Sequence, residues 1–132
     1  MARDAEVASR LLSPVSADIT APSTLPAAFK DASVVVSLVG VMHGTPADFE
    51  RIQWRGAENV ARAAREAGAK LVHFSAIGAD ANSHIPYART KALGEQAVFE
   101  QCPDATVIRP SLVFGPGDEF FAVGLQTVLG NI

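Results

Sequence analysis

The stretch Val34-Val35-Val36-Ser37-Leu38-Val39-Gly40 decides the fold. It is rich in β-branched residues, does not alternate apolar with polar, and is stopped by glycine. Such runs suit strands covered on both faces, as in parallel sheets. Two further runs resemble it: Lys70-Leu71-Val72-His73-Phe74-Ser75, and Ala105-Thr106-Val107-Ile108-Arg109, which ends at Pro110. Between the first two, Phe49, Ile52, Gly56, Val60, Ala63 and Ala67 recur three or four apart and predict a helix from about Asp48 to Ala67, ended by Gly68. A second helix is predicted from about Tyr87 to Gln101, between Pro86 and Pro103. This β-α-β-α-β order implies right-handed crossovers and a parallel sheet, an α/β fold.

Outward from this centre the signals are shorter. Asp4 to Leu12 and Pro22 to Ala32 read as helices, Val15-Ser16-Ala17 as a short strand, and Glu119 to Leu129 as an apolar helix stopped by Gly130. The 132 residues suffice for one domain with one core, and 48% hydrophobic with 19% charged residues describe a globular chain. A net charge of -3 leaves no basic footprint for nucleic acid. The single cysteine, Cys102, cannot close an internal disulfide. No apolar run approaches the roughly 20 residues of a membrane span, and the acidic start Met1-Ala2-Arg3-Asp4-Ala5-Glu6 predicts neither a signal peptide nor a mitochondrial presequence. His43, His73 and His84 are not spaced as a metal cluster, so no metal is expected; His73 is expected in the core or on the sheet.

In an open parallel sheet, ligands bind beyond the carboxyl ends of the strands. Those ends are predicted at Asp18-Ile19, Leu38-Val39-Gly40-Val41, Ser75-Ala76-Ile77-Gly78 and Arg109-Pro110-Ser111. Gly40 is either a plain strand-ending turn or a place where a ligand comes close to the backbone. Tyr87 and Lys91, four apart, share one helix face. A neighbouring ammonium is expected to lower the phenol's pKa and let it exchange protons with a substrate oxygen, although Tyr and Lys meet at this spacing on many helices by chance. The run Arg109-Pro110-Ser111-Leu112-Val113-Phe114-Gly115-Pro116-Gly117-Asp118 is a sharply punctuated strand exit. Trp54 is expected to pack and Cys102 to be structural.

Together, Val34 to Gly40, Gly56-Ala57-Glu58-Asn59-Val60, Val72-His73-Phe74-Ser75-Ala76-Ile77-Gly78-Ala79, Tyr87-Ala88-Arg89-Thr90-Lys91 and Arg109 to Gly115 resemble the extended and atypical short-chain dehydrogenase/reductases. Within them, the sequence is most similar to the group of the mitochondrial complex I accessory subunit nine, its bacterial homologues and the related fungal coenzyme Q biosynthesis protein. The resemblance implies a Rossmann-type NAD- or NADP-binding fold. It implies adenine contacts from Asp18 and Ile19, a cofactor wall of Leu38, Val39 and Gly40, and a nicotinamide environment of Ser75, Pro110, Ser111 and Leu112. Tyr87 and Lys91 take the place of the Tyr-x-x-x-Lys pair, with Lys91 also on the cofactor ribose, and Arg3 lies where a 2′-phosphate could be met. Catalytic candidates by resemblance are Tyr87, Lys91 and Ser75.

Two departures shape the expectation. The family opens with a strand and a Gly-x-x-Gly-x-x-Gly turn that cradles the pyrophosphate; this sequence has no such turn, so a partial Rossmann-type sheet is expected, lacking the first two strands and the glycine loop. The family hydroxyl lies one or two residues beyond Ser75, where Ala76 and Ile77 stand. The resemblance therefore implies an accessory protein of mitochondrial complex I or of coenzyme Q biosynthesis, with an NAD(P)-dependent epimerase, dehydratase or reductase as the alternative. This chain is expected to hold cofactor weakly or not at all. The strand near Val15 is expected either to slide in beside Val34–Val39 or to stay unpaired.

Overall fold

A computed structural model describes residues 12–111 and 113. The expected helices at Asp4 to Leu12 and Glu119 to Leu129, the Gly115-Pro116-Gly117 turn, Arg3 and Leu112 lie wholly or largely outside those residues. A 3-10 turn (Pro22–Thr24) leads into α1 (Leu25–Phe29) and β1 (Val34–Ser37). There follow α2 (Pro46–Phe49), a π-helical stretch (Glu50–Gly56) and α3 (Ala57–Glu66), then β2 (Lys70–Phe74), α4 (Pro86–Gln101) and β3 (Thr106–Ile108).

The three strands form one parallel sheet in the order β1-β2-β3, with Val34 opposite Lys70, Val36 opposite Val72, and Phe74 opposite Ile108. This is the expected open α/β sheet with flanking helices. Two expectations are corrected. Residues Val15 to Ala17 are not a strand and are exposed, so among the described residues the outer edge of β1 is unpaired. Burial along the strands alternates, although the sequence does not. Val35, Ser37, Leu71 and His73 face the helices and are buried, while Val34 and Val36 are 50% and 53% exposed. Among the described residues the crossover helices cover one face only.

The core gathers Leu25, Val35, Val60, Ala61, Ala64, Leu71 and Val98 between sheet and helices. Cys102 belongs to it, its Sγ donating to the Ala61 carbonyl at 3.2 Å, which is the structural role expected. Small residues on α3 let it lie close to the sheet and to α4.

The long crossover helix starts before Asp48 because Thr45, Pro46 and Asp48 form a capping box. The Asp48 amide donates to Thr45 Oγ1 at 3.2 Å, the Thr45 amide donates to Asp48 Oδ2 at 3.0 Å, and proline occupies the first turn. The π-helical stretch then shifts the helix phase. A 3.6-residue period places Ile52 inside; the wider turn instead buries Gln53, at 2% exposure, and leaves Ile52 half-buried. Gly68, at φ +70°, closes the helix in the left-handed conformation that glycine adopts freely.

Candidate functional site

Because the strands run in parallel, their carboxyl ends gather at one edge. A crevice of about 260 Å³ opens there, lined by Leu38, Gly40, Ser75, Tyr87, Lys91 and Pro110, with Val41, Met42 and Phe74 completing its wall. Six residues expected from three separate strand ends and one helix thus meet in one place. Val39 and Ser111 are exposed beside it. A larger surface hollow of about 530 Å³ between α1 and α3, lined by Pro26, Lys30, Ala63 and Glu66 among others, lies at the opposite end of the strands. It presents exposed ions over apolar side chains and no buried polar group.

Asp18 and Ile19 are not brought into the crevice, and they end no strand. Asp18 lies in a turn, accepting from the Thr20 amide and hydroxyl, both at 2.8 Å, and these bonds hold its exposed carboxyl below the ordinary value. The Ile19 carbonyl accepts from Asn59 Nδ2 at 2.9 Å, and its side chain fills the space beside Gly56.

Lys91 is 5% exposed and donates to the Phe74 carbonyl at 3.2 Å. It runs beneath Gly40, where an added Cβ would stand 3.1 Å from Nζ. Gly40 is therefore more than a strand stop, for it leaves room for a buried ammonium. Burial pulls the Lys91 pKa down and Glu95, one helical turn away, opposes the fall. Tyr87 packs edge-on against Phe49, ring centres 6.2 Å apart and planes at 89°. Burial raises its pKa above the ordinary phenol value, which corrects the expected lowering by Lys91. The reason is geometric: the ammonium is directed to the Phe74 carbonyl, and desolvation dominates the phenol.

Ser75 is buried at the end of β2, its Oγ without a hydrogen-bond partner; it lies close to Glu95 but short of a well-formed bond. Beyond it, Ala76 and Ile77 supply no hydroxyl. His73 is buried as expected, with both ring nitrogens unpartnered and a pKa lowered to about 4, chiefly by burial and then by the Lys91 charge.

Sequence reading missed two residues. Both side-chain polar atoms of Gln53 are buried without partners, and its Oε1 lies 3.9 Å from where a Gly40 Cβ would stand. Only the π-helical shift brings it there, and no 3.6-residue period reveals that. Glu95 did have a signal, since Tyr87, Lys91 and Glu95 repeat four apart on one face. Trp54 packs as expected, beneath the Arg55 guanidinium at 3.9 Å from the ring centre. Among the described residues, no three His, Cys, Asp or Glu side chains cluster as metal ligands do.

The edge therefore combines an apolar wall, a close backbone approach, a buried ammonium and unsatisfied polar atoms beneath. That donor set fits a flat ring joined to a hydroxyl-rich sugar, as in the nicotinamide riboside half of a dinucleotide. A glycine-rich cradle for pyrophosphate is absent among the described residues.

Comparison with known proteins identifies the family. The model of the NAD dependent epimerase/dehydratase family matches residues 2–126. The chain is 36% identical over 105 residues to a ceramide reductase of Caulobacter vibrioides, covering 79% of this chain and 33% of that protein. It is 37% identical over 95 residues to the mitochondrial NADH dehydrogenase [ubiquinone] 1 alpha subcomplex subunit 9 of Rattus norvegicus, covering 70% of this chain and 25% of that one. The chain thus spans about a third or less of these relatives. Among solved structures, the triphenylmethane reductase of Citrobacter sp. complexed with NADP(H) superposes with a TM-score of 0.70 at 25% identity, over 96% of this chain and 42% of that one. On its sequence and its fold, the chain belongs to the NAD dependent epimerase/dehydratase family.

Proposed function

We propose that the carboxyl edge of the sheet holds the nicotinamide and ribose of NAD(P), and that the protein acts as a nucleotide-binding accessory subunit of the mitochondrial complex I kind. The observation that carries this reading is the buried Lys91 ammonium beneath Gly40, at the rim of the crevice that Tyr87, Ser75 and Pro110 share. Lys91 and Gly40 would admit the ribose, Ser75 and Pro110 would flank the ring, and Leu38 would close the apolar side. The bound cofactor would supply hydride chemistry; the chain's own groups would orient it and exclude water.

A structural role is favoured over turnover by the absence of a hydroxyl at Ala76 and Ile77 and by the raised pKa of Tyr87. The likeness to subunit 9 supports membership of a membrane complex, while no helix among the described residues is long and apolar enough to cross a membrane. The relatives reported above lend no support to the coenzyme Q expectation. The other relative favours a second reading, an NAD(P)-dependent reductase with Tyr87 as general acid, because Tyr87 lines the same crevice as Ser75.

With no glycine-rich turn in the sequence, the chain alone should bind whole dinucleotide weakly. Reduced nicotinamide mononucleotide is therefore the discriminating probe. Saturation-transfer NMR should show contact with its ring and ribose protons, and Lys91→Met should abolish it. Contact that survives Lys91→Met would overturn the site. Turnover of a carbonyl substrate that Tyr87→Phe abolishes would replace the accessory reading with the reductase.

A further inference from the structure

Glu95 occupies the same face of α4 as Lys91, one turn along, and as Tyr87, two turns along. Its side chain is 9% exposed, and both carboxylate oxygens are taken by Arg109: Nε donates to Oε1 at 2.8 Å and Nη2 to Oε2 at 2.5 Å. Arg109 is the residue between β3 and Pro110, and its own side chain is half exposed. A two-point guanidinium–carboxylate pair fixes direction as well as distance. The exit of β3, which sends Pro110 into the crevice, is thereby tied to the helix that carries Lys91.

Beneath Gly40, the polar groups around Lys91 come from three elements. Its own helix supplies Tyr87 and Glu95; β2 and its exit supply His73, the Phe74 carbonyl and Ser75; the π-helical stretch supplies the Gln53 amide. Glu95 is the one carboxylate in this set. Burial works against a charged Lys91 and Glu95 works for it. Burial, the largest single influence, works to raise the pKa of Glu95, but the Arg109 pairing together with Ser75 and the His73 charge outweighs it and leaves the carboxyl below its ordinary value.

We propose that Glu95 is a positioning residue of this edge: clamped by Arg109, it supplies the counter-charge for the buried Lys91 ammonium and fixes the exit of β3 against α4. The functional side of this inference rests on the nicotinamide–ribose reading, whereas its electrostatic side is measurable without cofactor.

The chain has three lysines, and Lys30 and Lys70 are exposed controls. In protein labelled with ¹³C at the lysine ε-carbon, NMR titration reads each one separately. Glu95→Gln should displace the Lys91 midpoint downward and leave Lys30 and Lys70 unmoved. The double variant Glu95→Gln/Arg109→Gln keeps a neutral amide bridge between helix and strand exit, so it tests the same point if the single variant does not fold. Its Lys91 midpoint should be displaced as well. Glu95→Asp, which retains the charge, should return it toward wild type. A Lys91 midpoint unmoved in the folded Gln variants, or equally displaced in Glu95→Asp, overturns the proposal, because a bridge that only pins the strand would act without regard to charge. If Glu95→Gln displaces the Lys91 midpoint yet wild-type protein makes no contact with reduced nicotinamide mononucleotide, the site reading fails and the electrostatic inference stands.

Discussion

Lys91 can lie buried at the sheet edge because Gly40 above it has no side chain: a Cβ there would come within 3.1 Å of Nζ. The backbone at Gly40 is open to other residues, since among the glycines of the described residues only Gly44 and Gly68 have positive φ. The atom that would be met is the far end of a flexible side chain. Gly40→Ala should therefore change stability by less than about 1 kcal/mol. It should also displace the ammonium and weaken binding of reduced nicotinamide mononucleotide by about tenfold, or about 1.4 kcal/mol. Denaturant titration and ligand titration on the same sample separate the two effects, and equal affinity in variant and wild type would contradict the arrangement.

Tyr87 is the only tyrosine, so tyrosinate absorbance reports on it alone. Its midpoint should lie above that of a free phenol, because burial disfavours the charged form. A folded pKa above the unfolded one means that the fold prefers the neutral phenol. That contribution is complete below about pH 10, the unfolded value, and is lost as pH rises through the folded value. Lys91→Met should leave the Tyr87 midpoint nearly unchanged. A midpoint below the ordinary phenol value that rises in Lys91→Met would restore the coupling expected from sequence.

Much of this edge was legible in the sequence because it depends on strand ends. Glycine and proline mark those ends, and parallel order brings them together: Gly40, Ser75 and Pro110 were placed by those rules alone. What was not legible depended on phase and on competition. Gln53 turns inward because a π-helical stretch changes the helical period, and nothing in Glu50 to Gly56 announces it. The Tyr87 pKa moves upward because Lys91 has another acceptor in the Phe74 carbonyl, a tertiary fact that the four-residue spacing does not contain. The exposed outward face of β1 was hidden for a different reason, since Val34 and Val36 are the residues that a covered strand would also use.

His73 gives the fold an acid limit. Its imidazole is buried without hydrogen-bond partners and its pKa is lowered to about 4 from 6.5, by burial first and the Lys91 charge second. The fold prefers the neutral ring, so this stabilisation is complete above about pH 6.5 and is lost as pH falls toward about 4. The shift corresponds to as much as about 3 kcal/mol. Urea denaturation at about pH 7 and about pH 4.5 should show a fall that His73→Phe reduces. An identical fall in that variant would assign the acid limit to other groups.

Gly94 marks a close contact between the two crossover helices. Inside a helix, glycine is ordinarily about 1 kcal/mol worse than alanine, so Gly→Ala normally stabilises. At Gly94 the added Cβ would overlap the Gln53 carbonyl oxygen, which is backbone and cannot swing aside, and would also touch Ala57 Cβ. Relief requires α4 to move off the π-helical stretch, which would open the core around Val98 and shift Lys91 with the helix. Gly94→Ala should therefore destabilise by about 2 kcal/mol despite its better helix propensity. Gly78→Ala, in a turn and with nothing within 4 Å of its Cβ, is the unhindered control and should be close to neutral. The only tryptophan, Trp54, adjoins Gln53, so its fluorescence follows both unfolding and any local shift. A Gly94→Ala protein as stable as wild type would mean that the helices do not pack at this distance. The inward turn of Gln53 and the placement of Lys91 would then both need revision.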